Sequence, residues 1–171
     1  DIAGSTGYED YDEVITFQNG DDAELKGLEL AFSHQFSSLP APFNGLLMSA
    51  NATFTSSDAT VSGFVDGELT ERDIQLPNQS DVTGNFIVGY ENDVYSVRLA
   101  TNYKSEYLAE VNSLENDLSD VYQSSQTQMD LNAAYSATDN LKVTFEIANL
   151  TDEPYYSYQN KERYNAQYED Y

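Results

Sequence analysis

Six segments of the chain alternate apolar and polar residues at period two, which is the pattern of strands with two unlike faces. In the first, Leu28, Leu30, Phe32, His34 and Phe36 alternate with Glu29, Ala31, Ser33 and Gln35. In the second, Leu46, Met48, Ala50, Ala52 and Phe54 face away from Ser49, Asn51 and Thr53, and only Leu47 breaks the rule. The third sets Gly84, Phe86, Val88 and Tyr90 against Thr83, Asn85, Ile87 and Gly89. The fourth sets Tyr95, Val97, Leu99, Thr101 and Tyr103 against Ser96, Arg98, Ala100, Asn102 and Lys104. Met129, Leu131, Ala133 and Tyr135 oppose Gln128, Asp130, Asn132 and Ala134 in the fifth, and Leu141, Val143, Phe145 and Ile147 oppose Lys142, Thr144 and Glu146 in the sixth. Each predicted strand has one greasy face and one wettable face.

The connections alternate in length. Ser37 to Gly45, Glu91 to Asp93 and Ala137 to Asn140 are short turns rich in Asn, Asp and Pro. Between them lie Thr55 to Asn78, Ser105 to Ser125 and Thr151 to Tyr171, each about twenty residues or more and read as long loops. Outer-membrane barrels keep short periplasmic turns and long extracellular loops, so this asymmetry favours an antiparallel transmembrane β-barrel over a soluble sandwich. Aromatic residues support it: Phe36, Tyr90, Tyr95 and Tyr135 flank the short turns on the apolar phase, and Phe54 and Tyr103 sit at the opposite strand ends. Rings at those heights form the expected lipid-interface girdles.

Composition narrows the function. The chain is 40% hydrophobic with a mean hydropathy of −0.56, yet holds 14 Tyr and 8 Phe, so aromatics are used without a large core. No run is long and apolar enough for a membrane helix, and Asp1 to Gly4 lack the layout of a signal peptide. There is no Cys, which removes disulfides, thiolate metal sites and thiol nucleophiles. A net charge of −23 repels phosphate backbones and argues against nucleic acid as a partner. Most of the 30 acidic residues fall in 1–22, 55–78, 105–125 and 151–171, the ends assigned outside, where they could draw cationic cargo or bridge divalent cations to lipopolysaccharide.

Three stretches carry a resemblance. Asn19-Gly20-Asp21-Asp22-Ala23-Glu24-Leu25-Lys26-Gly27-Leu28-Glu29, Leu76-Pro77-Asn78-Gln79-Ser80 and Asn149-Leu150-Thr151-Asp152-Glu153-Pro154-Tyr155 resemble strand-entry and strand-exit motifs of the TonB-dependent receptors. With Gln167 to Tyr171, they are most similar to the subgroup common in Xanthomonas-like and Caulobacter-like bacteria. The resemblance implies the C-terminal portion of the barrel over 1–171, about six strands of a roughly 22-stranded wall. It places the plug, the N-terminal box that engages TonB and the final strand outside this chain. It implies an outer-membrane transporter, not an enzyme, for energy-coupled uptake of a scarce nutrient, a small molecule or an oligosaccharide. A ferric-siderophore receptor and a passive barrel or adhesin are the competing expectations.

Candidate residues follow from the faces. Glu29, Arg98, Asp130, Lys142 and Glu146 are wettable-phase charges expected to line the lumen, as hydrated wall or as contacts to plug or substrate. Tyr155, Tyr156, Tyr158 and Tyr164 are candidate extracellular substrate contacts, since tyrosines on loops stack on sugar rings and hydrogen-bond through their hydroxyls. His34 has no Cys or second His beside it in the sequence and reads as a boundary residue. No cofactor motif and no catalytic constellation stand out. In Ser105 to Ser125, Tyr107, Val111, Leu114, Leu118 and Val121 recur at helical spacing, which predicts a short amphipathic helix packed across neighbouring loops.

Overall fold

In a computed structural model the described residues, 22–159 and 166–170, form eleven antiparallel strands. They are β1 (Ala23–Gln35), β2 (Leu46–Val65), β3 (Glu68–Ile74), β4 (Val82–Glu91), β5 (Tyr95–Lys104), β6 (Tyr107–Glu110), β7 (Val121–Gln123), β8 (Gln126–Thr138), β9 (Leu141–Ile147), β10 (Tyr155–Gln159) and β11 (Ala166–Asp170). The six two-faced segments all form strands, joined side by side in the order β1-β2-β4-β5-β8-β9, with β3 paired to β2. A second sheet has the order β11-β10-β7-β6.

Register decides how residues are sorted. The row His34, Met48, Val88, Leu99, Leu131, Ile147 crosses the whole sheet through directly opposed pairs, and so does the row Gln35, Leu47, Gly89, Arg98, Asn132, Glu146. Because successive side chains alternate faces, such rows keep one face apolar from β1 to β9 and leave the other polar. Among the described residues nothing covers the apolar face: Leu28 is 57% exposed and Phe145 is 56% exposed. A sandwich would bury these side chains under a second layer. Among the described residues, the buried hydrophobics are Tyr107, Leu108 and Tyr158, all in the second sheet.

The short turns are closed by their own polar groups. Asn92 accepts at Oδ1 from the backbone N–H groups of Val94 and Tyr95, at 2.9 and 2.7 Å. Phe43–Gly45 forms one 3-10 turn before β2. Thr138 Oγ1 accepts from Asn140 N, beside a register shift between Ser136 and Thr138.

The long segments correct the sequence reading. Thr55 to Asn78 is not an open loop: β2 runs on to Val65 and returns as β3 through Asp66 and Gly67, whose φ values are 51° and 84°. Two positive-φ residues between strands make the turn whose twist suits a hairpin. Asp58, expected in a flexible loop, lies in β2 opposite Glu24 of β1. Ser105 to Ser125 forms no helix but the strands β6 and β7. Its short polar side chains bond the local backbone instead: Ser113 Oγ accepts from Glu115 N, Asn116 Oδ1 from Leu118 N, and Asp120 Oδ1 from Asn112 N. Such bonds compete with helical ones, and β10 supplies the strand partner that β7 needs. Val at position 67 would force a branched side chain into a left-handed backbone, at about 1–2 kcal/mol. Gly67→Val should therefore speed hydrogen exchange at Phe64 and Leu69 beside the turn while leaving β4 and β5 unchanged.

Candidate functional site

The polar face gathers three of the five candidate lumen charges. Arg98, Lys142 and Glu146 border one concavity of about 370 Å³ near the short-turn end, together with Glu91, Asn132 and Thr144. Arg98 Nη2 donates to Glu91 Oε2 at 2.7 Å, with both side chains about half exposed. Glu91, a turn residue by the sequence pattern, instead continues the wettable phase of β4 by one step, opposite Ser96. Two cations and two anions here make a charge-balanced patch. Glu29 lies apart, opposite Thr53 on the row that continues through Thr83 to Lys104. One row nearer the short-turn end, the face is neutral: Asn51, Asn85, Asn102 and Gln128 are successive partners, and Asn85 Nδ2 donates to Asn51 Oδ1 at 2.8 Å.

Asp130 has a different job. Its Oδ1 accepts from Asn149 N at 2.9 Å and from Gln128 Nε2 at 3.1 Å, which pins the turn that leaves β9. In that turn Asn149 and Glu153 bond reciprocally, through Glu153 N to Asn149 Oδ1 at 2.8 Å and Asn149 Nδ2 to Glu153 O at 3.1 Å. The Glu153 carboxylate in turn accepts from Thr127 N at 3.0 Å, next to the start of β8. Asn149 and Asp152 both take positive φ, which Asn and Asp tolerate best among residues with a Cβ.

A second clasp forms at Leu76 to Ser80. Thr55 Oγ1 donates to Ser80 O at 2.6 Å and accepts from Gln79 Nε2 at 2.9 Å, while Ser80 Oγ donates to Ser105 O at 2.9 Å. Asn78, at φ 63°, donates its N–H to Leu108 O at 2.7 Å. The motif thereby ties β2 and the starts of β4 and β6 into one junction.

The aromatic candidates lie at two heights on the apolar face. Tyr95 and Tyr135 are directly opposed and stacked, with ring centroids 5.3 Å apart. Tyr90 stands opposite Leu46 and Val97, and Phe36 meets His34 edge-on at 4.7 Å. Phe54, opposite Leu28, and Tyr103, opposite Gly84, occupy the other end. From Leu46 to Phe54 the strand rises about 27 Å, or about 20 Å once tilted as barrel strands are, comparable to the apolar band of outer-membrane barrels, about 25 Å tall.

The candidate substrate tyrosines divide by burial. Tyr155 is 40% exposed, Tyr156 is half-buried, and Tyr158 is buried at 3%. Tyr158 donates its hydroxyl to Glu106 and stacks on Tyr122 at 5.9 Å, so it packs the second sheet together. Tyr155 and Tyr107 approach at their hydroxyls, 3.4 Å apart. Tyr164 lies outside the described residues.

A continuous antiparallel sheet with one bare apolar face, one polar face and short turns along one end is the wall of a membrane β-barrel. Residues 2–150 match the family model described as TonB dependent receptor-like, beta-barrel, and the chain belongs to that family. The family consists of outer-membrane transporters rather than enzymes. Comparison with curated proteins and with solved structures gives no match.

Asp130→Ala would leave the half-buried Asn149 N–H without its acceptor and should cost about 1–3 kcal/mol. Glu91→Ala breaks only an exposed pair and should cost less than about 1 kcal/mol, an effect that salt diminishes further. Denaturant unfolding of the two variants, in the full-length protein, gives the comparison.

Proposed function

We propose that this chain is the C-terminal portion of the barrel of a receptor that takes up a scarce nutrient, with energy delivered through TonB and passage controlled by a plug domain. The observation that carries this reading is the bare apolar face, sorted by rows of matched residues that cross the sheet from β1 to β9, in a chain whose residues 2–150 match the receptor family. The apolar phase then meets lipid, with Phe36, Tyr90, Tyr95 and Tyr135 at the periplasmic girdle and Phe54 and Tyr103 at the outer one. Glu29, Arg98, Asp130, Lys142 and Glu146 look into the lumen. The acidic long segments lie at the extracellular end of the wall.

We further propose an oligosaccharide as the cargo class. Tyr155 and Tyr156 lie at the long-segment end and keep ring surface that a sugar can meet. Binding measurements on the full-length receptor against a panel of neutral oligosaccharides and ferric siderophores test it. Saturable binding of an oligosaccharide, weakened by Tyr155→Ala, is expected, and binding of siderophores alone would replace the assignment.

Face identity has its own test in bilayers. Spin labels at Val97, Leu99, Leu131 and Val143 should report hydrocarbon, and labels at Ser96, Asn132 and Thr144 should report water or protein. Leu99→Arg should cost about 2–4 kcal/mol at the bilayer middle, and Asn132→Arg much less, because water in the lumen solvates the new charge. Equal lipid access at both sets of positions would refute the assignment of faces.

A further inference from the structure

The second sheet lies on one particular side of the wall. Counting in steps of two from Thr53 along β2 gives Thr55, Ser57, Val61 and Gly63 on the polar phase, and the opposition of Val61 to Arg72 puts Arg72 there too. These are the positions that hold the second sheet and its flanking turns. Thr55 bonds Ser80 and Gln79, Ser57 Oγ accepts from Leu76 N at 3.1 Å, and Asp130 accepts from Asn149. Lys104, also on the polar phase, places Nζ 3.8 Å from the Tyr107 ring centroid. A Cβ on Gly63 would come within 2.6 Å of Leu114 Cδ1, so Leu114 packs straight onto that glycine. The 105–125 segment is folded inward, against the polar face of the β2–β3 hairpin.

One ion pair fastens it there. Arg72 Nη2 donates to Asp120 Oδ2 at 2.7 Å and Nη1 donates to Asn116 O at 2.5 Å. The other carboxylate oxygen of Asp120 accepts from Asn112 N at 3.0 Å. The side chains are only 14% and 2% exposed. Arg72 is also the sole basic residue in 55–78 and 105–125, two segments crowded with Asp and Glu. Without it, like charge on the hairpin and on the inner segment would drive them apart. Arg72 Nε is buried with no hydrogen-bond partner, so the guanidinium is held by its two terminal nitrogens and by packing.

We propose that Arg72–Asp120 is a latch that keeps the 105–125 segment folded over the lumen mouth, and that its release opens the polar face to solutes from outside. This rests on the reading of the polar phase as lumen. Removing one partner leaves the other charge buried and uncompensated, so loss of either side chain should loosen the segment.

The test uses the full-length receptor in bilayers, with Arg72→Ala and, should that variant fail to insert, Asp120→Asn, which keeps shape while removing charge. Hydrogen exchange at the Asn112 amide should accelerate by roughly a hundredfold as the segment opens locally. A spin label at Asn102, on the polar phase below, should become several-fold more accessible to a water-soluble relaxation agent. Unchanged exchange at Asn112 would overturn the latch whichever way the face points. Faster exchange with no change at Asn102 would overturn its control of access. A label at Asn102 that reports hydrocarbon in the parent protein would overturn the lumen reading itself, separately from the latch.

Discussion

Inside hydrocarbon no water is present to bond a peptide group, so every N–H and C=O of a crossing strand must find its partner on a neighbouring strand. That requirement sets the unbroken ladder from β1 to β9, and the ladder sets nearly everything else. A slip of one residue between any two strands would carry Leu and Phe to the polar face and Asn and Arg to the apolar one. The register shifts that do occur fall at the β8–β9 turn and within β6–β7, away from the long rows of matched faces. The concavity around Arg98, the stacked Tyr95 and Tyr135, and the asparagine row are consequences of that matching.

Beyond the ladder the constraint relaxes and side chains take over. Asn78 and Asn149 sit where the chain must reverse with positive φ, and each joins a hydrogen-bonded junction. These junctions explain why motifs that look like bland polar punctuation recur at strand ends. Each satisfies backbone donors where the sheet no longer can.

The crossing strands were legible because alternation is a local signal, and Leu28 to Phe36 or Tyr95 to Tyr103 announce both the strand and its two faces. Past Phe54 the signal fades: Ser56, Ser57, Asp58, Ala59 and Thr60 offer no contrast, although β2 continues through them because β1 and β3 supply partners. The helical spacing in 105–125 misled for a related reason, since apolar residues that pack onto a neighbouring hairpin need not share one helix face. Asp130 shows its wettable phase in the local pattern, but its bond to Asn149 depends on a residue 19 positions away. The burial of Tyr158 likewise depends on Tyr122 and Glu106, which no local pattern connects to it.

The parity of the β2–β3 hairpin also bears on how such a chain can change in length. Residues added or lost beyond the Val61–Arg72 pair, out at Asp66 and Gly67, alter only how far the hairpin reaches. Between Phe54 and Val61 a single-residue deletion would turn Arg72 to the opposite side of the wall, away from Asp120, unless a bulge absorbed it. Drift in this region is therefore expected as free variation at the tip and as even-numbered, paired steps at the base.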